Sequence, residues 1–213
     1  MIISNSNSKC KICRRLETKL FLKGERCFTS KCALVKRPYP PGSRGKRGRG
    51  SFSEYGMELK EKQKLRNLYQ LGEKIFKKYV TDALAQKEKG GSPVVLLFKK
   101  LESRLDNVVF RLGFAPSRSQ ARQMVSHGFF LVDKKPINVP SFLVKLGQEV
   151  SLKPNLIKRP PFQNIKNVLK KQKVPKWLKL DVDKLSGKVV GEPTLEEINA
   201  PAETLAIFEY YSR

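Results

Sequence analysis

Residues 104–153, RLDNVVFRLGFAPSRSQARQMVSHGFFLVDKKPINVPSFLVKLGQEVSLK, constrain the fold of this chain more than any other stretch, because helical and strand patterns follow one another within it. Leu97, Leu101, Leu105, Val108 and Leu112 recur at steps of 4, 4, 3 and 4, the face of one helix or of two placed end to end, and Gly113 stops the pattern. Ser117-x-x-Gln120 is a capping box and Pro116 disfavours helix in the residue before it, so a new helix starts at Ser117 and ends at Gly128. On that helix Ala121, Met124 and Val125 share one arc, while Arg118, Ser119, Arg122, Gln123 and His127 occupy the rest. Residues 129–132, a turn at 133–135 and residues 137–139 predict a β-hairpin, and residues 149–153 a further strand. A helix anchored on one side and cationic on the other, beside a small sheet, suits phosphate and 2′-hydroxyl contacts with shaped RNA. The alternative is a surface helix whose arginines are merely solvated.

Charge extends the RNA reading beyond this stretch. The net charge is +25, and it is uneven. Residues 1–50 carry 14 Lys/Arg against 2 Asp/Glu, residues 51–175 carry 25 against 10, and residues 176–213 carry 5 against 7. The first 175 residues therefore face a polyanion, either nucleic acid or an anionic membrane. The longest apolar run, VVLLF at 94–98, is far too short to span a bilayer, and residues 1–9 lack a signal-peptide core. A cytoplasmic location and no membrane partner are expected.

Cys10, Cys13, Cys27 and Cys32 are the only cysteines, spaced C-x2-C-x13-C-x4-C. The paired spacing suits two halves of a tetrahedral Zn²⁺ site; two disulfides or four free thiols are the alternatives, and a reducing compartment argues against disulfides. One structural zinc would give shape to a segment with few large apolar side chains, supplying on the order of 10 kcal/mol of folding energy. It would hold Arg14, Arg15, Lys19, Lys23 and Arg26 in a fixed pattern. Residues 36–50, KRPYPPGSRGKRGRG, have no carboxylate and read as an extended basic arm that orders on RNA, or as a disordered linker.

Ser53 caps a helix predicted to continue through SEYGMELKEKQKLRNLYQLGEKIFKKYV, with Gly90 and Gly91 ending it. Its Lys60, Lys62, Lys64 and Arg66 form a basic turn, facing either phosphate or solvent. Ser92-Pro93 then starts another helix. Beyond the central stretch, residues 160–161 open a helical pattern on Phe162, Ile165 and Leu169 that Pro175 closes. Residues 177–181 and 189–190 suggest a small hairpin, and LAIFEYYSR at the carboxyl end alternates weakly, as a strand would.

RLDNVVFRLGF and SRSQARQMVSHG resemble the S-four RNA-binding domain, and with CKICRR, LFLKGERC, KRPYPPG, PKWLKLD and the terminal YSR the chain resembles, over nearly its whole length, the zinc-containing bacterial form of the small-subunit ribosomal protein four family. It departs from the family where Ser43-Arg44-Gly45 replaces the usual Gln-His-Gly, and in residues 1–8. The resemblance implies a primary rRNA-binding protein that nucleates assembly of the 5′ domain of 16S-type rRNA, contacts small-subunit protein five, with proteins three and twelve as further neighbours, and contributes to decoding accuracy and the mRNA entry channel. It further implies that Arg47 and Arg49, with Arg44 nearby, face that channel, and that Arg118, Arg122, Gln123 and His127 face rRNA. The full expected RNA-contacting set adds Ser117, Lys134, Lys135, Arg14, Arg15, Arg37, Lys46, Lys62 and Arg66, with Cys10, Cys13, Cys27 and Cys32 on zinc.

An enzyme is the competing class. Arg104-Leu105-Asp106 matches the Arg-Leu-Asp of pseudouridine synthases, some of which carry an S-four domain. Asn107-Val108-Val109-Phe110, however, continues an apolar helix instead of the Thr-Ser-Gly-Leu such an enzyme would show. His127, the sole histidine, has no nucleophile beside it in sequence, and no phosphate-binding loop is present. No catalytic residue and no small-molecule substrate are expected; a stand-alone S-four RNA-binding or stress protein is the alternative. The expected fold is α+β and mostly helical: a zinc-bearing basic arm at 1–50, a helical domain of 51–103 with 154–213 carrying the C-terminal hairpin, and the S-four module inserted at 104–153.

Overall fold

The computed structural model describes residues 6–42, 53–86, 92–157, 159–198 and 200–212. It divides into two compact units, one of residues 1–94 with 200–213 and the other of residues 95–199. The α+β class is as expected, but the division is not. Residues 154–199 pack with the inserted module and not with the helical domain, and residues 6–42 are part of a compact unit and not a separate arm.

The first unit is helical. Helices α1 (Ser6–Leu16) and α2 (Ala33–Lys36) flank a 3₁₀ turn at Gly24–Cys27; α3 (Glu54–Leu68) and α4 (Glu73–Ala85) follow. Ser53 caps α3 by accepting from Gly56 N at 3.3 Å. The single long helix expected after Ser53 is two helices. Leu71 N donates to Arg66 O and Gln70 N to Asn67 O while Gln70 takes φ +54, so a left-handed glutamine closes α3 where glycine would be usual. Gly72 then stands extended as the N-cap of α4.

A helix at the carboxyl end, α10 (Thr204–Ser212), replaces the expected terminal strand. Ile207 and Phe208 are buried and Tyr211 follows Ile207 by one turn, so the weak alternation is one face of a helix lying across α3 and α4.

In the second unit α5 (Pro93–Glu102) and α6 (Leu105–Arg111) are the two end-to-end helices, separated by Arg104 in extended conformation. Helix α7 (Arg118–Ser126) follows, capped by Ser117. Gly113 (φ +90) and Gly128 (φ +67) end α6 and α7 with the same paired bonds seen at Gln70: Phe114 N to Val109 O with Gly113 N to Phe110 O, and Phe129 N to Met124 O with Gly128 N to Val125 O.

Strands β1 (Phe130–Val132), β2 (Lys135–Pro136) and β3 (Glu149–Leu152) come next, then α8 (Ile165–Lys171), β4 (Leu178–Asp181), β5 (Ser186–Val189) and α9 (Leu195–Ile198). The expected return strand at 137–139 begins instead at Lys135, because Asp133 and Lys134 (φ +48 and +66) make a two-residue turn with both centres left-handed. Pro136, which has no N–H to donate, is on the edge strand.

The five strands form one antiparallel sheet in the order β2-β1-β3-β5-β4. The C-terminal hairpin pairs with β3, Val150 opposite Gly187, which is why residues 154–199 belong here. Gly187 is required by packing: a Cβ there would lie 2.3 Å from Leu112 Cδ2, so the end of α6 sits directly on the strand. Leu105, Val108 and Leu112 of α6, Ala121 and Val125 of α7, and Phe130, Val150, Trp177 and Val189 share one buried core.

Candidate nucleic-acid interface

The Arg104-Leu105-Asp106-Asn107 run builds the platform on which α7 stands. Arg104 is 1% exposed, and its Nε and Nη2 donate to Asp106 Oδ1 and Oδ2 at 3.1 and 2.9 Å, a two-pronged pair next to the extended break before α6. Asp106 is thus a structural carboxylate, neither catalytic nor RNA-facing. The carboxylate of Glu102, 0% exposed, accepts from Arg111 Nε (2.9 Å) and Nη2 (2.8 Å) and from Asn107 Nδ2 (2.7 Å). Asn107 Nδ2 also donates to Glu102 O at 3.1 Å, so the amide is held with Oδ1 pointing away from Glu102. That oxygen accepts from Arg118 Nε at 2.8 Å, and the Arg118 guanidinium lies 4.5 Å above the Phe110 ring.

A buried carboxylate on α5, an amide and ring on α6 and an arginine on α7 therefore form one connected set. The half-buried Arg118 is oriented before any ligand arrives. Asn107, Phe110 and Glu102 were missed as site residues because their helical spacing shows only that they fall near an apolar face.

Elsewhere on α7, Gln123 and His127 are exposed and Arg122 is half-buried, as the basic-face reading requires. Ser117 does not join them. It is buried at the N-cap, accepting from Gln120 N at 3.4 Å and sharing a hydrogen bond with Ser119 Oγ at 3.3 Å, so its role is to start the helix. His127 packs edge-on against Phe129 at 5.8 Å. A methyl at Gly128 would stand 3.6 Å from Lys153 Nζ, which places an ammonium the sequence reading overlooked at the carboxyl end of α7. Lys134 and Lys135 are exposed at the hairpin turn.

Several cations expected on RNA are occupied inside the first unit. Arg14 Nε donates to Arg37 O (3.1 Å) and Tyr39 O (2.9 Å), Arg14 Nη2 to Pro40 O (3.3 Å), and its guanidinium lies 5.0 Å from the Tyr39 ring centre, so it ties residues 37–40 to α1. Lys62, 4% exposed, donates to Glu73 Oε1 at 2.7 Å beneath the Tyr210 ring (4.3 Å). Arg66 stands 3.6 Å from Glu73 Oε2, and Tyr211 donates to Glu73 Oε1 at 2.7 Å.

Glu73 thus binds α3, α4 and α10 together. Partial burial opposes its charged form, but the hydrogen bonds from Lys62 and Tyr211 and the charges of Lys62 and Arg66 outweigh it and hold the carboxyl below its usual range. Burial, then the hydrogen bond to Glu73 and its charge, pushes the Tyr211 phenol well above its ordinary value. Lys62 and Arg66 are structural here, while Arg15 and Arg37 are exposed on the surface. Arg44, Lys46, Arg47 and Arg49 lie outside the described residues.

The four cysteines converge. Cys10 and Cys13 stand one turn apart on α1, Cys27 ends the 3₁₀ turn and Cys32 is the N-cap of α2. With Lys9, Leu22 and Lys23 they line a pocket of about 20 Å³, room for a water or an ion. Burial, followed by the charges of Cys27, Cys10 and Cys32 and opposed by the Leu20 backbone, pushes the Cys13 thiol up. All four are free thiols, so the disulfide alternative is not realised. The expected ligand cluster is not formed as such: among the described residues no group of three or more His, Cys, Asp or Glu side chains is disposed to hold a metal ion. The donor set fits zinc in kind and number; its geometry is that of four thiols sharing a wall.

Comparison with known proteins agrees with this layout. Residues 4–99 match the model of the ribosomal protein S4/S9 N-terminal domain, and residues 103–150 match the S4 domain. The proteins named small ribosomal subunit protein uS4 from Caldicellulosiruptor saccharolyticus and Syntrophobacter fumaroxidans are 48% and 45% identical to the chain over 204 and 208 residues, covering 96% and 98% of both sequences. The chain belongs to the bacterial-type uS4 family. A relative of the same name from Natranaerobius thermophilus is 47% identical over 96% of each chain. The S4-domain match ends at residue 150, within β3, whereas the compact unit continues to residue 199, so in this family member the C-terminal hairpin completes a sheet that the domain match leaves open. Among the described residues, no helix is long and apolar enough to cross a membrane.

Proposed function

We propose that this protein is a structural, non-enzymatic constituent of the small ribosomal subunit that binds 16S-type rRNA directly in the cytoplasm, through α7 and its flanking turns. The observation that carries the reading is the end-to-end relationship to uS4 proteins, joined to a basic helix whose leading arginine is pre-positioned by Asn107 and Phe110. Arg118 and Arg122, four residues apart, project from neighbouring points of one face and suit successive phosphates. Arg104-Asp106 and Glu102-Arg111 keep the platform rigid, so little ordering is needed on binding. The S4/S9 N-terminal match over 4–99 favours the ribosomal role over a stand-alone S4-domain binder, which needs no such region.

Finer roles follow as part of the same proposal. The protein binds early to the 5′ domain and nucleates its assembly, contacts small-subunit protein five with proteins three and twelve as further neighbours, and contributes to decoding accuracy. Arg44, Lys46, Arg47 and Arg49 reach mRNA at the entry channel. Cys10, Cys13, Cys27 and Cys32 would hold one structural Zn²⁺; when bound, the ion supplies folding energy and no reaction chemistry, all four positions being taken by protein sulfur. Crosslinking and footprinting on total cellular RNA tests the central claim: protection concentrated in the 5′ domain of small-subunit rRNA is expected, and protection scattered over transcripts would overturn it.

A further inference from the structure

Phe28 is 75% exposed, the most exposed large apolar side chain among the described residues, and it is not alone. Its ring stacks on Phe21 with centroids 4.8 Å apart and planes 25° from parallel. Stacking covers one face of Phe28 and leaves the other open. Phe21 takes φ +50, a left-handed conformation that a bulky side chain rarely adopts. Its neighbours explain how that is held: Leu20 and Leu22 are 1% and 3% exposed, so the backbone is pinned from both sides with Phe21 turned outward between them. Gly24 N donates to Phe21 O at 3.4 Å and Phe28 N to Glu25 O at 3.0 Å, closing the turns that bring the two rings together. A disfavoured backbone that points an aromatic ring away from the core suggests a use for the ring.

We propose that Phe28, backed by Phe21, is a stacking platform for an unpaired rRNA base. The inference rests on the rRNA-binding reading and adds a site to it, in the first unit. Charge selects the occupant. Within residues 19–31, which carry both rings, Lys19, Arg26 and Lys31 are exposed and Lys23 is half-buried, against the one carboxylate of Glu25. A protein partner would favour a patch poor in lysine, whereas a nucleotide offers a π-face to the ring and a phosphate to the surrounding cations. The Phe21 ring fixes the plane of Phe28, so a base slides onto an already oriented surface.

The test measures binding of the full-length chain to a transcript of the small-subunit rRNA 5′ domain at several salt concentrations, with Phe28→Tyr, Phe28→Leu and Phe28→Ala variants checked for unchanged helix content. Phe28→Tyr keeps the ring and should bind within about twofold of the parent; Phe28→Leu, apolar but without a π-face, should bind about 5- to 100-fold more weakly, as should Phe28→Ala. The salt slope should stay constant across all three, since stacking releases no counterion. Ultraviolet crosslinking of the parent complex should join Phe28 to a base. Equal affinity for the leucine and tyrosine variants, or no crosslink at Phe28, would overturn the platform alone; failure of the parent chain to bind the transcript would overturn the rRNA reading and the platform with it.

Discussion

Replacing Glu102 with Gln tests how far the interface depends on its buried support. The carboxylate accepts two bonds from Arg111 and one from Asn107, at 2.9, 2.8 and 2.7 Å. Glutamine keeps one acceptor oxygen and turns an NH₂ toward these donors, so at least one charge-assisted bond to Arg111 is lost and an N–H faces an N–H. Hydrogen bonds to charged groups contribute ~1.5–3 kcal/mol, and breaking a fully buried ion pair costs ~3–5 kcal/mol. Because Arg111 retains 19% exposure and water can reach its free side, the lower half of that span applies, and the expected loss is about 1.5–3 kcal/mol.

The chain's single tryptophan makes the measurement local. Trp177 is buried in the core of the second unit, so its fluorescence during urea unfolding follows that unit alone. Glu102→Gln, Arg111→Gln and the double variant form a cycle in which the two single losses must exceed the double by more than about 1 kcal/mol. Additive losses, or a Glu102→Gln loss under about 1 kcal/mol, would refute the network as an energetic unit. A second effect should accompany the first: Asn107 keeps its bond to Glu102 O but loses a fixed carboxylate partner, so Asn107 Oδ1 is held less firmly toward Arg118, and rRNA affinity falls even where the unit remains folded.

Four further outcomes are expected. Gly187→Ala forces a methyl onto Leu112 in a closed core and should cost about 1–3 kcal/mol in the Trp177 melt, with no change in salt slope among the molecules that remain folded. Arg118→Ala with Arg122→Ala should weaken rRNA binding far more than Lys184→Ala with Lys188→Ala and lower the salt slope by roughly 1–2; equal affinities and slopes would remove α7 from the interface. The folded-state pKa of Glu73 lies below its unfolded value, so its contribution is present in full above the ordinary carboxylate range and is lost as pH falls through the folded value; thermal melts of Glu73→Gln should therefore lose the part of the acid dependence that the parent shows there. Metal analysis of reduced, unstripped protein should find about one zinc per chain. Cys27→Ser should lower that content and leave the Trp177 melt unchanged.

Local signals were legible wherever the deciding chemistry is local. Ser53 and Ser117 cap helices because a hydroxyl reaches an N–H three residues on, and Gly113 and Gly128 end them because a left-handed position favours glycine. The break at Gln70 was illegible for the converse reason: the same termination uses a residue with no such preference, inside a stretch whose helical pattern continues from Ser53. Partition into units was also missed. The 178–189 hairpin is visible in its own pattern, but nothing local tells which sheet edge it joins; that is decided by Gly187 opening room for Leu112, a contact between residues far apart in sequence. At the cysteines the residue types and spacing predict a zinc-ligand cluster, whereas among the described residues the four side chains share a pocket wall without a group disposed to hold a metal ion; spacing does not determine sulfur positions.

The cations carry the more general lesson. A net charge of +25 invites every lysine and arginine to be read as a phosphate contact, yet Arg14, Lys62, Arg104 and Arg111 are each engaged by backbone carbonyls or carboxylates within the fold. Removing one of these would lower stability, and for Arg104 and Arg111 it would lower RNA binding indirectly, through the platform. Loss of Lys134, exposed at the hairpin turn, should lower binding without that cost in stability. The two classes look alike in composition and in single-point affinity. They separate when affinity and stability are measured on the same variant, and the ratio of the two losses, more than either alone, identifies which positive charges touch RNA.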